Sequence, residues 1–138
     1  MSLDQAIQRL RRLNQPVPKP MRLPTPEEVA EVEEQLGFRF HPDYRRYLLE
    51  ASDVVYGTKE PAIITMPGYF TDLRAICRTA WESNDVPRAL LPICENNADF
   101  YCMNSSGEVL FWSHDGQANE KWCSLAAWIE EVWIGESS

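Results

Sequence analysis

Histidine is scarce in this chain, and the motifs that carry much enzyme chemistry are missing. Two histidines, His41 and His114, occur among 138 residues. There is no H-x-x-x-H and no C-x-x-C pair, which leaves out common zinc and thioredoxin-like redox arrangements. The four cysteines, Cys77, Cys94, Cys102 and Cys123, stand apart and among apolar neighbours. They read as reduced core thiols of a cytoplasmic protein, because free cysteine packs as a small hydrophobe. Glycine is sparse at six. Neither G-x-G-x-x-G nor a Walker sequence is present, so a glycine-rich phosphate cradle is not expected. The G-x-S-x-G elbow is also absent. No apolar run approaches the roughly 18 residues that a transmembrane helix needs. Residues 1–12 hold three arginines and no apolar core segment, unlike a secretory signal. No cofactor, metal site or membrane contact is expected.

Charge is plentiful but unbalanced. The net charge is -8, with +4 in residues 1–24, -5 in 25–94 and -7 in 95–138. An acidic body repels phosphate backbones, so direct nucleic-acid binding is not expected. Acidity keeps a domain soluble and also attracts basic partners.

The first half reads as helices. Leu3, Ile7, Leu10 and Leu13 fall near one face of a helix over 3–13. The stretch Gln15-Pro16-Val17-Pro18-Lys19-Pro20 is a stiff extended linker. Residues 1–24 therefore read as an N-terminal arm and 25–138 as the main domain. Thr25, Pro26 and Glu28 spell an N-cap, a first helical position and a capping box. Val29, Val32 and Leu36 follow as the buried stripe, and Gly37 ends the helix. Pro42 opens a third helix, with His41 at its N-cap. Residues 62–65 read as a short strand, and Thr71 or Asp72 as the cap of a fourth helix.

The second half turns to strands. Leu90–Cys94, Asp99–Met103, Glu108–Trp112 and Glu120–Trp122 are expected, with a turn at Asn104-Ser105-Ser106-Gly107 that places Gly107 at positive φ. Ser124 caps a last helix whose inner face carries Leu125, Trp128, Ile129 and Val132. Helices first and a meander afterwards argue an α+β domain with an antiparallel sheet.

Catalytic residues do not emerge. His114 and Asp115 are neighbours in a turn, and a triad is usually assembled from distant segments. A small hydrolase built on them is the least supported reading. Paired carboxylates such as Glu130-Glu131 read as solvated surface. The hairpin is more informative. Both faces of its second strand are apolar, whereas a half-exposed strand alternates with polar residues. Either the protein's own elements cover the second face or a partner does. An open face would make Tyr101 and Trp112 aromatic anchors, rimmed by Glu95, Asp99 and Asp115, a composition suited to a basic protein.

Two segments carry a family resemblance. Glu-Glu-Val-Ala-Glu-Val-Glu-Glu-Gln-Leu-Gly-Phe, followed by His-Pro-Asp-Tyr-Arg-Arg-Tyr-Leu-Leu, resembles the opening of the SUKH superfamily, the Smi/Knr-like group. Leu-Leu-Pro-Ile-Cys-Glu-Asn-Asn-Ala-Asp-Phe-Tyr-Cys-Met-Asn, then Gly107-Glu108-Val109, is similar to its second signature. The similarity spans about residues 26–134. Ala98 stands where that family's loop carries glycine, and Asn104 where aspartate is usual. The resemblance implies an α+β fold and no enzymatic activity. It also implies a cytoplasmic immunity protein that neutralises a basic nuclease- or deaminase-type toxin. The alternative is a housekeeping regulator or scaffold. Expected partner-binding residues are Glu95, Asp99, Tyr101, Asn104, Trp112 and Asp115. A homodimer remains open.

Overall fold

Capping chemistry sets the element boundaries. The structure is a computed structural model that describes residues 2–113 and 120–137. Helix α1 (Leu3–Leu13) starts at a capping box between Ser2 and Gln5. Helix α2 (Pro26–Leu36) starts at the expected box between Thr25 and Glu28 and stops at Gly37, φ +63°. The Arg22 guanidinium and the Thr25 N–H hold the Glu28 carboxyl down at about 2. Helix α3 (Pro42–Ala51) is capped by His41, whose Nδ1 accepts from the Asp43 N–H at 3.1 Å. Helix α4 (Leu73–Arg78) is capped by Asp72 and runs on as a π-helical segment, Thr79–Ser83.

Four strands follow in the order β1-β2-β3-β4: Leu91–Asn96, Asp99–Met103, Val109–Trp112 and Lys121–Trp122. Every pairing is antiparallel. The expected strand over 62–65 is reduced to two isolated bridges, Pro61 with Cys94 and Ile63 with Asp72. Pro61 and Pro67 bracket this run, and proline cannot donate to a ladder. The C-terminal helix starts at Ser124 with α5 (Leu125–Trp128), passes through a π-helical stretch, Ile129–Ile134, and ends as α6 (Gly135–Ser137).

The core is continuous, and α1 belongs to it. Ala6, Ile7 and Leu10 are buried in the same cluster as Leu48, Ile93 and Trp133. The linker after α1 is also tied down. The Gln15 N–H donates to the Val55 carbonyl at 2.8 Å, and the Val55 N–H donates to Asn14 Oδ1 at 2.8 Å. The arm expected over 1–24 is thus packed as part of one body.

Two turns explain the hairpins. Gly107 has φ +87°, and a Cβ there would sit 2.7 Å from His41 Nε2. This close approach locks the N-terminus of α3 against the β2–β3 turn. Between β1 and β2 the chain reverses at Asn97 and Ala98, with φ +52° and +71°. Two left-handed residues make a type I′ geometry, which favours Asn-Gly. Alanine carries a steric cost there of about 1–2 kcal/mol. Ala98→Gly is therefore expected to raise unfolding free energy by about 0.5–1 kcal/mol, after the added flexibility of the unfolded chain is subtracted. Urea denaturation measures this, and a loss of stability would contradict the turn assignment.

Candidate functional site

The hairpin does not bring the expected anchors together. In the β2–β3 register Tyr101 pairs with Phe111, and Phe100 pairs with Trp112. Tyr101 and Trp112 therefore point to opposite faces of the sheet. Tyr101 is 6% exposed. It packs against Phe111, Trp122 and Trp128, with centroids 5.0, 5.7 and 5.3 Å away. The C-terminal helix covers this face, so Tyr101 is core and not an open anchor. Its phenol is pushed up to about 12, chiefly by burial, then by Glu136, Cys94 and Glu120.

Asn104 also has an internal task. Its Oδ1 accepts from the Ser106 and Glu108 N–H groups at 3.0 Å each, and its Nδ2 donates to Glu108 Oε1 at 2.9 Å. It organises the turn, and its remaining capacity for a partner is small. Trp112 is half-buried, and its indole N–H has no acceptor among the described residues. Glu95 is exposed and Asp99 half-buried. Asp115, like His114, lies outside the described residues.

Among the described residues, no three His, Cys, Asp or Glu side chains converge to hold a metal ion. The cysteines are all free. Cys77, Cys94 and Cys102 are buried, as expected, and burial is the main force raising each thiol. Cys123 differs: it is exposed, in the connection between the end of β4 and the Ser124 cap.

The open aromatic surface lies elsewhere. The large apolar side chains left exposed among the described residues are Leu23, Met66, Tyr69 and Phe70, the last at 61%. Tyr69 and Phe70 touch each other, with ring centroids 4.6 Å apart. With Met66 they form one lip of a cavity of about 400 Å³. The linker forms the other lip through Val17, Lys19 and Met21, and Tyr47, Val54 and Ile63 also line the cavity. This volume is within the range of ligand-sized pockets.

The lip is held firmly. Asp72, 4% exposed, accepts from the Gly68 N–H at 3.0 Å and from Arg74 Nε at 3.0 Å. The Ile63 N–H donates to the Thr71 carbonyl, and the Leu73 N–H donates back to the Ile63 carbonyl. The loop that displays the two rings is thus closed at its base. The expected strand at 62–65 drew attention away from it. The legible signal was Pro67-Gly68, a turn dipeptide, flanked by Met66 and by Tyr69-Phe70.

Charges of both signs line this cavity, Lys19 and Lys59 beside Glu60. Glu60 and Glu95 both act on Cys94, whose thiol is raised to about 12 mainly by burial. Glu136 and Glu120 act on Tyr101, the residue paired with Cys94. Lys59 is answered by Glu136 at 3.3 Å. The arrangement is a fixed aromatic lip on a cavity lined by Lys19, Lys59 and Glu60, with Glu136 paired to Lys59.

The sequence matches the family model SUKH_5, described as SMI1-KNR4 cell-wall, over residues 3–134. The chain belongs to the SUKH family. The SUKH match takes in α1 and the linker, so it reaches further than the 26–134 span expected from motifs. A crystal structure of a protein from Pseudomonas syringae pv. tomato is similar, with a TM-score of 0.91 and 41% identity. It covers 96% of this chain and 98% of that one. No curated protein matches. No described helix of this SUKH domain is long and apolar enough to cross a membrane.

Proposed function

We propose that this SUKH domain is a non-enzymatic binding protein of the immunity type, acting in the cytoplasm against a basic nuclease- or deaminase-type toxin. The observation that carries the reading is the exposed Tyr69-Phe70 lip on a cavity that Glu60 also lines, in a domain of net charge -8. Aromatic anchors at the centre of a contact supply much of its affinity, and charges around them steer the encounter. An acidic inhibitor placed over a nucleic-acid-binding cleft also occupies the place of the substrate's phosphates. Glu95 and Asp99 stay in this proposal as outer contacts. Tyr101 acts through the fold.

The test is to express any toxin-like domain encoded by a neighbouring gene in a sensitive host, with and without the protein. Protection and a stoichiometric complex are expected. Absence of both would overturn the immunity reading. The family's cell-wall description favours a second reading, a housekeeping regulator. An envelope defect on deletion in toxin-free cells would support that one.

A further inference from the structure

Most cations in this acidic protein are answered by a carboxylate, as Arg9 is by Glu130 and Arg45 by Glu33. Arg78 and Arg88 are exposed and have no carboxylate partner among the described residues. Together with Arg74 they line a cavity of about 540 Å³ at the C-terminal end of α2, whose other lining residues include Trp81 and Glu82. This cavity is separate from the aromatic groove and does not depend on the reading given to it.

Two of the cations there, Arg88 and Arg74, are held in place. The Arg88 guanidinium lies 4.1 Å from the centroid of Trp81 and donates from Nη2 to the Leu36 carbonyl at 3.2 Å. Trp81 is fixed in turn. Its Nε1–H donates to the Leu90 carbonyl at 2.9 Å, and Phe38 stacks with it at 6.0 Å. Arg74 is anchored by Asp72 and by the Ile64 carbonyl. Arg78 is one helical turn from Arg74, where like charges repel. Glu82 on the cavity wall offsets part of the charge. Asp72 neutralises Arg74, so Arg78 and Arg88 supply the remaining positive field.

We propose that this cavity binds the phosphate group of a small molecule, held by the Arg78 guanidinium and by the Arg88 N–H groups not engaged with Leu36. A guanidinium stacked on an aromatic ring keeps its edge N–H groups free, and its planar fork matches phosphate oxygens. The polar lining suits a small hydrophilic anion better than an apolar ligand.

Inorganic pyrophosphate, titrated into the full chain and followed by ¹⁵N NMR, tests this. Saturable shifts are expected at the Trp81 indole N–H and the Arg88 Nε–H, beyond those in sodium chloride at equal ionic strength. Arg78→Gln and Arg88→Gln should each weaken binding by about tenfold, the scale of one lost charge-assisted contact. Arg88→Lys keeps the charge without the fork and should also weaken it, which guards against a misfolded glutamine variant. Arg12→Gln, at an exposed cation on α1, should leave binding unchanged. Shifts that do not saturate, that match those in chloride, or that fall equally in Arg12→Gln would overturn the proposal.

Discussion

Trp133→Ala is expected to lower the unfolding free energy by about 4–5 kcal/mol, a large share of the 5–15 kcal/mol that holds a domain of this size together. Trp133 is fully buried. Its ring meets Tyr47 at 6.1 Å and Trp128 at 6.3 Å. Its Nε1–H donates to the Tyr56 carbonyl at 2.9 Å. Alanine removes the ring, opens a cavity beside two aromatic neighbours and strips that carbonyl of a donor. Trp133→Phe keeps most of the packing and loses the hydrogen bond, so about 2 kcal/mol is expected from it. Urea unfolding followed by far-ultraviolet circular dichroism measures both. A cost below about 1.5 kcal/mol for the alanine variant would mean that the aromatic cluster does not hold the C-terminal helix to the core.

Trp133 also shows where reading by sequence period stops. A spacing of 3.6 places Leu125, Trp128, Ile129 and Val132 inward, and they are. Over Ile129–Ile134 the helix widens to π geometry, and Trp133 and Ile134 are buried as well. Wider turns bring adjacent positions onto the buried side, and no local residue type announces such a change. Helix starts were legible because caps are local chemistry: Thr25, His41 and Ser124 each accept a backbone N–H as their sequence context suggests. The β2–β3 turn was legible for the same reason, through Asn104 and Gly107. The β1–β2 turn was not, because Ala98 occupies a left-handed position that usually shows itself as glycine. At the candidate site, alternation along β3 raised the right question about a second apolar face. The answer depended on the long-range packing of Trp128 over Tyr101. The exposed rings sit on a loop without periodicity, so pattern reasoning passed over them.

Phe70→Ala and Tyr69→Ala should each weaken partner binding by about thirtyfold or more, the size of a central aromatic hot spot of about 2 kcal/mol. Stability should change by no more than about 0.5 kcal/mol for Phe70→Ala and by about 1 kcal/mol for the less exposed Tyr69, less than the loss in binding. Phe70→Glu should weaken binding further by placing an unpaired charge in the contact. Tyr101→Ala provides the contrast. It removes a ring packed against Phe111, Trp122 and Trp128 and should cost about 3 kcal/mol or more of stability. Glu95→Lys belongs to a third class. It reverses an exposed charge on β1 and should slow association and alter its salt dependence, with a smaller effect on dissociation. Titration calorimetry with the toxin domain, read beside urea unfolding of each variant, separates the three. Unchanged affinity in both Phe70→Ala and Tyr69→Ala, with binding lost in Glu95→Lys alone, would move the contact from the groove to the acidic edge of the sheet. A fixed aromatic lip on a domain of net charge -8 predicts the opposite order, with the rings setting how long the complex lasts and the carboxylates how fast it forms.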